Sequence, residues 1–255
     1  MTSITPWRII LLDEIDSTNR SMSDLFARVS AQRLVVVADH QSAGRGRRGR
    51  TFWDVPRSTL ACSALVRLPQ RVAVGLLPVV VGNAVVSAIH HLGAVEATLK
   101  WPNDLMVGKA KLGGMLIDGV FDGTVHQLVI GVGVNLTASP TLAEVRDLCC
   151  LADAIECGSE RDFYSLRDSL LAGFLKELDG QLSHLLHGRT DLLLERYRGF
   201  LSTLGRRVQI QYPGRMVVGL AEDVDQEGCL LVRTATSRVA VRVGDIEHLG
   251  VVDDR

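Results

Sequence analysis

The 255-residue sequence is poor in aromatic residues, carries almost no net charge and has no paired pattern of cysteines. Aromatics are 5% while hydrophobic residues make up 47%, so the core must be built from aliphatic side chains in sheets and helices. A formal net charge of −1 excludes a global electrostatic bias toward nucleic acid or anionic lipid. Any anion binding must come from a local cluster. The five cysteines (Cys62, Cys149, Cys150, Cys157 and Cys229) form no CxxC motif, which argues against a disulfide framework or structural zinc. They read as reduced thiols of a cytoplasmic protein. Met1–Arg8 lacks a basic stretch followed by a long apolar one, so no secretory signal is expected. Val72–Ile89 is nearly free of polar side chains, but Pro78, Gly82, Asn83 and Ser87 interrupt it. Its length is at the lower limit for a bilayer, and a buried helix is the better reading than a membrane span.

What is present is a dense series of short elements. Arg8–Asp13 predicts a strand, followed by a helix capped within Asp16-Ser-Thr18 and showing Met22, Leu25, Phe26 and Val29 at helical spacing. Leu34–Val37 predicts a buried strand and Ser42–Arg50 a loop. Thr59–Leu68 reads as an alternating strand, ahead of the buried helix. Ala97–Lys100, Leu105–Val107, Leu112–Val120 and Val125–Leu136 follow as strands, the last three antiparallel neighbours joined by Gly108-Lys-Ala-Lys111 and Asp122-Gly123. Residues 141–200 are helical in pattern, with Leu170, Leu171, Phe174 and Leu178 on one face. Composition shifts near Ser202. From Gly205 four short strands are expected, punctuated by Pro213-Gly214, Glu227-Gly228 and Gly244-Asp245, of a size suited to a minimal barrel. The division is therefore placed at 1-202 and 203-255.

Four constellations could carry chemistry. Gly44-Arg-Gly-Arg-Arg-Gly-Arg50 sets four arginines in seven residues, which repel one another until a polyanion gathers them. Such a loop is expected to be mobile when empty; an RNA-binding Arg/Gly segment is the alternative, although no aromatics interleave it. Lys100-Trp-Pro-Asn-Asp104 and Lys111-Leu-Gly-Gly114 can bring two lysines onto one small anion, or can be ordinary strand ends. Asp104 could hold a metal or accept a proton. Ile130-Gly-Val-Gly-Val-Asn135 places two bare positions on one strand face, opening a slot for a ring or allowing a close strand crossing. It lacks the third glycine of a dinucleotide fingerprint. Ser17-Thr-Asn19 is explained by helix capping alone, with a binding role optional.

Taken in order, these motifs resemble the biotin–protein ligase family from about Ile9 to Leu136, and the C-terminal β segment fits the same architecture. The resemblance implies an α+β fold: a mixed, largely antiparallel sheet with packed helices, related to class II aminoacyl-tRNA synthetases, plus a small C-terminal SH3-like β barrel. It implies ATP-dependent activation of biotin to biotinyl-5′-adenylate with Mg²⁺, then transfer to a lysine of a biotin carboxyl carrier protein domain. Ser17, Thr18, Asn19 and Gln41 would contact the ureido ring. Gly44, Arg45, Gly46 and Arg47 would line the biotin–phosphate junction, and Gly131 and Gly133 would floor the biotin slot. Lys111 would hold the biotin carboxylate and α-phosphate, while Arg47, Arg50, Trp53, Lys100 and Asn135 would serve the nucleotide. Arg47, Lys100, Lys111 and Asp104 are the catalytic candidates; metal ligands are unassigned. Three departures stand out: Gly113 where Ala is usual, Arg57-Ser58 where a Gly is usual, and Cys149-Cys150-Leu151 where Thr-Ser-Leu is usual.

A lipoate or octanoate transferase of the same superfamily is the enzyme rival, with no reason for the arginine heptad. A DNA-binding repressor is a second rival; with the catalytic strand at Arg8, no specific DNA binding is expected. No membrane partner is expected either, and a homodimer stays open.

Overall fold

The computed structural model describes residues 6–26, 33–121, 123–141, 147–155, 162–212, 215–242 and 244–249. Expectations placed on residues 1–5, Val29, Asp122, Cys157 and Pro213-Gly214 lie outside them, as do the side chains of Leu25 and Phe26. The first half of the chain folds as β1 (Arg8–Leu12), α1 (Thr18–Phe26), β2 (Arg33–Ala38), β3 (Thr59–Pro69), α2 (Leu77–His91), β4 (Ala97–Lys100), β5 (Asp104–Val107), β6 (Ala110–Phe121) and β7 (Val125–Asn135). Then come α3 (Leu151–Ala154), α4 (Phe163–Leu186), α5 (Thr190–Phe200), β8 (Arg207–Tyr212), β9 (Arg215–Val224), β10 (Leu230–Arg233), β11 (Arg238–Val241) and β12 (Asp245–His248).

The first sheet has the order β1-β2-β3-β7-β6-β5-β4. β1 pairs parallel with β2 and every other pairing is antiparallel, as the mixed-sheet expectation required. Alternate β2 residues feed opposite faces: Val35 and Val37 join the main core, Leu34 and Val36 a smaller cluster with Met22 of α1 and Leu65. That two-sided burial is why Leu34–Val37 is uniformly aliphatic. It also corrects the reading of β3, where Thr59–Val66 is buried throughout instead of alternating. α1 covers one face of the sheet; α2, α4 and α5 contribute to the core on the other.

The stretch Val74–His91, which includes α2, has the length and composition of a membrane span, yet it is 72% buried inside the protein. Two of its polar side-chain groups are paired within the bundle. Asn83 Nδ2 donates to the Leu193 carbonyl at 2.8 Å, and Ser87 Oγ donates to the Asn83 carbonyl at 2.6 Å. α4 starts at a good cap, Asp162 accepting from the Tyr164 and Ser165 backbone N–H groups, and buries Leu170, Leu171, Phe174 and Leu178 as the spacing predicted. Residues 147–149 depart from the helical expectation. They run extended beside Lys111, with Lys111 N donating to Asp147 O at 2.7 Å and Cys149 N to Lys111 O at 3.1 Å.

The C-terminal segment has five strands, where four were expected, in the order β11-β10-β9-β8-β12. Among the described residues β11 and β12 do not pair, so the sheet is antiparallel but not a closed barrel. Its core residues Val208, Ile210 and Leu230 belong to the same apolar cluster as α2 and the first sheet. Polar contacts reinforce the junction: Thr203 Oγ1 accepts from the Trp101 backbone N–H at 3.0 Å and stands 3.1 Å from His248 Nε2.

Burial, with Lys100 and Arg206 nearby, pushes the His248 imidazole down to about 4 from 6.5. The unfolded chain therefore takes up a proton before the folded one does. The stabilising contribution is complete above about pH 6.5 and is lost as pH falls toward 4. Replacing the group (His248→Gln) should flatten the fall in melting temperature across that acid window. An unchanged acid slope would place the sensitivity elsewhere.

Candidate active site

A cavity of about 450 Å³ opens on the α1 face of the first sheet, a size suited to a small-molecule ligand. Most sequence-nominated residues line it: Ser17, Thr18, Asn19 and Gln41 at one end, then Gly131 and Gly133, then Arg45, Gly46, Arg47, Arg50, Trp53, Asp104, Lys111 and Asn135. Gly44 and Lys100 do not. Gly44 is packed where a Cβ would meet Phe52 O at 2.4 Å. Lys100 ends β4 opposite Asp104, within electrostatic reach of His248.

The polar end is a buried hydrogen-bond network. Gln41 Oε1 accepts from Thr18 N at 2.9 Å and lies 3.1 Å from Thr18 Oγ1. Asp54 holds Gln41 from behind, accepting its backbone N–H at 2.9 Å and contacting His40 Nδ1 at 3.1 Å. Burial raises the Asp54 carboxyl above its ordinary value, although Gln41 and His40 both pull it down.

The glycines of β7 line the cavity and also admit close neighbours, so both readings left open by the Gly-x-Gly pattern apply. A Cβ on Gly131 would stand 2.2 Å from Asn19 Oδ1, and one on Gly133 would stand 2.3 Å from Phe52 Cζ. The bare positions bring Asn19 and the Phe52 ring onto the strand. Gly113 is likewise required: its Cβ would meet Gly133 O at 2.1 Å, leaving no room for alanine without a strand shift. Arg57 takes φ 55°, the left-handed conformation that glycine adopts most easily, so the loop path survives the substitution. Cys149 contributes backbone, accepting from Asn135 Nδ2 at 3.1 Å; Cys150 Sγ contacts Asp153 Oδ2 at 3.0 Å.

Each of the four loop arginines makes a contact, and Arg48 and Arg50 share one partner. Arg47 Nη1 donates to Asn103 Oδ1 at 3.0 Å, and burial lowers its pKa. Arg48 and Arg50 both donate to Asp245 Oδ2, at 3.0 and 2.7 Å, across from the C-terminal sheet. Arg45 forms a backbone bridge with Thr51. Mutual repulsion, the basis for expecting a mobile loop, is thus offset in part by Asp245. Lys111 Nζ pairs with Asp104 Oδ1 at 2.6 Å, both side chains being part-exposed in the cavity wall.

Several site residues escaped the sequence reading. Asn103 sits inside a recognised motif and could have been included on that ground; Phe52 lies just beyond the Gly44–Arg50 loop, next to Trp53. Ser63 lies behind Thr18 and Asn19 with no local signal. Asp245, Gln209 and Gln211 close the cavity from the C-terminal sheet; Asp245 is 197 positions from Arg48, so no spacing rule could have found it.

Residues 11–135 match the biotin/lipoate A/B protein ligase family, and residues 203–249 the biotin protein ligase C terminal domain. The chain is 33% identical to a biotin--[acetyl-CoA-carboxylase] ligase of Mycobacterium tuberculosis, over 95% of this chain and 90% of that protein. Its fold is similar to that of a biotin protein ligase from Aquifex aeolicus in complex with biotin and ATP (TM-score 0.79, 22% identity, 94% of this chain and 99% of that one). It is also similar to a biotin protein ligase from Leishmania major in complex with biotinyl-5-AMP (TM-score 0.64, 26% identity, 96% and 100%). The full-length similarity and the two consecutive family matches make this chain a member of the biotin/lipoate A/B protein ligase family, on its biotin–protein ligase branch.

Proposed function

We propose that the chain joins biotin to ATP as biotinyl-5′-adenylate and transfers the biotinyl group to a lysine of a biotin carboxyl carrier protein domain, such as that of acetyl-CoA carboxylase. The observation that carries this reading is the polarity of the cavity. A buried, uncharged hydrogen-bonding end (Ser17, Thr18, Gln41) leads to a cationic end (Arg47, Lys111) within one enclosure. An uncharged ureido ring and a carboxylate at the far end of an aliphatic chain match that gradient. A lipoyl or octanoyl chain offers no donors or acceptors to the polar end.

In the first step a biotin carboxylate oxygen attacks the α-phosphorus, the bond to the bridging oxygen breaks, and pyrophosphate leaves. Lys111 supplies positive charge where carboxylate and α-phosphate meet, and Arg47 supplies it on the phosphate side. Arg45 and the Gly44–Gly46 backbone line the junction. Trp53, 58% exposed at the cavity wall, offers a ring face to the adenine. Arg50 and Asn135 flank the nucleotide; Lys100 acts from behind the wall. Mg²⁺ neutralises phosphate charge when bound. No group of three metal-ligating side chains converges among the described residues, so the ion would be held chiefly by the phosphates themselves.

In the second step the acceptor amine attacks the biotinyl carbonyl carbon and AMP leaves. The amine must first lose a proton, and Asp104 is the carboxylate placed to take it once Lys111 turns to the ligand. The reaction belongs in the cytoplasm, in a chain divided near Ser202, with no specific DNA partner.

Incubation with biotin and ATP should give biotinyl-adenylate by mass spectrometry, with lipoate and octanoate far poorer. Equal or better activation of lipoate would overturn the reading. Arg47→Gly should leak adenylate: with the Asn103 contact gone, a free-amine trap should collect more acceptor-independent product than wild type. Unchanged leakage would assign the clamp to another arginine.

A further inference from the structure

We propose that Asp54 is a positioning residue that clasps the two ends of the Gly/Arg loop. One carboxylate, outside the cavity lining, thereby places both Gln41 at the uncharged end and Trp53 at the nucleotide end. The proposal rests on biotin and ATP being the substrates.

The loop is a short antiparallel ladder. Gly46 N donates to Arg50 O at 2.7 Å, Arg45 bridges Thr51, and Phe52 N donates to Gly44 O at 2.9 Å. The same register returns at Arg57, whose N–H donates to Asp39 O at 2.9 Å. Between these rungs the entry strand leaves the ladder. Ser42 N and Ala43 N donate instead to Ile15 O and Asp16 O, each at 2.9 Å, which draws Gln41 toward the start of α1. Asp54 spans the gap with its side chain, which is 1% exposed. Its Oδ2 accepts from Gln41 N at 2.9 Å and its Oδ1 stands 3.1 Å from His40 Nδ1. An ionised carboxylate only accepts, so the proton in the His40 contact sits on Nδ1. Hydrogen bonds to a charged acceptor are the stronger kind, and burial shields these from water.

The neighbours extend the clasp in both directions. On the entry side, Gln41 Oε1 meets Thr18, and Gly44 is packed between Phe52 O and Gln41 Nε2, 2.4 and 3.2 Å from where its Cβ would be. On the exit side, the Phe52 ring lies on Gly133, and Trp53 reaches the cavity wall. Release of the carboxylate therefore loosens Gln41 and Trp53 together, where loss of a direct contact would affect one substrate.

The test is the pattern of KM values for biotin and ATP, read by pyrophosphate release below the melting temperature of each variant. Asp54→Ala should raise both KM values about tenfold. Its kcat should change little, because Lys111 stands on β6. Asp54→Asn can still accept from Gln41 N–H and can donate to His40 Nδ1 in the other tautomer, so it should restore both KM values to within about twofold of wild type. Gln41→Ala is the contrast, removing a direct contact, and should raise the KM for biotin alone. Should Asp54→Ala fail to fold, Asp54→Ser keeps one oxygen for Gln41 and none for His40. It should raise both KM values by a smaller factor. Unchanged KM values in a folded Ala or Ser variant would make Asp54 a packing residue and overturn the proposal. A rise in only one of the two, or an Asp54→Asn variant no better than Asp54→Ala, would overturn it equally. Failure of wild type to form biotinyl-adenylate sinks the substrate reading, and this proposal with it.

Discussion

Lys111→Ala is expected to fold normally, to bind biotin measurably and to form adenylate on the order of a hundred- to a thousandfold more slowly, a loss of about 3–4 kcal/mol from the transition state. The Lys111 ammonium faces the cavity at the end opposite Thr18 and Gln41, where negative charge accumulates as carboxylate attacks phosphate. Its contact with Asp104 at 2.6 Å holds it in place before ligand arrives. Loss of the lysine therefore also exposes the ligand to an unneutralised carboxylate. Asp104→Asn separates the two effects. In the double variant with Lys111→Ala, adenylation should recover part of the loss if repulsion contributes, and none if only the bridging charge matters. Lys109→Ala is the control, an exposed lysine in the same turn, and should be nearly silent. Equal losses at 109 and 111, or wild-type adenylation by Lys111→Ala, would make Lys100 the better candidate.

The largest stability effect is expected at Asp39, which does no chemistry. Its carboxylate accepts from Arg167 Nη1 at 2.7 Å, and both side chains are at least nine-tenths buried. Arg167 in turn lies over the rings of Phe163 and Tyr164, so the pair locks α4 to the end of β2. Asp39→Ala strands a buried guanidinium with only the exposed Asp168 as counter-charge, and should cost about 3 kcal/mol or more. Asp39→Leu combined with Arg167→Met should recover most of that, because the pair's attraction mainly offsets its own desolvation. Urea midpoints at constant slope measure both. A shift below about 1 kcal/mol in Asp39→Ala would mean that water reaches the arginine. Because His40 and Gln41 follow directly, a weakened anchor should also raise the KM for biotin.

Local pattern carried much of this molecule. The aliphatic run of β2, the antiparallel succession of β5, β6 and β7, and the apolar face of α4 follow from side-chain period and turn chemistry, which act over a few residues. The cavity-lining motifs were legible too, because glycine, arginine and lysine at fixed spacing have few other uses. Packing decided what spacing could not. Gly131 and Gly133 allowed either a slot or a close crossing; whether a missing Cβ admits a ligand or a neighbour depends on what crosses the strand, and here Asn19 and Phe52 do. Extended residues 147–149 were read as helix because their apolar content is the same in either state; pairing with Lys111 settled it. The mutual repulsion of four arginines was a sound local inference, overridden by a carboxylate at Asp245 that only the docking of the C-terminal sheet brings near. Ser63 is one small polar residue in an aliphatic strand, and its hydrogen bonds to Thr18 and Asn19 exist only once β3 and α1 are in contact.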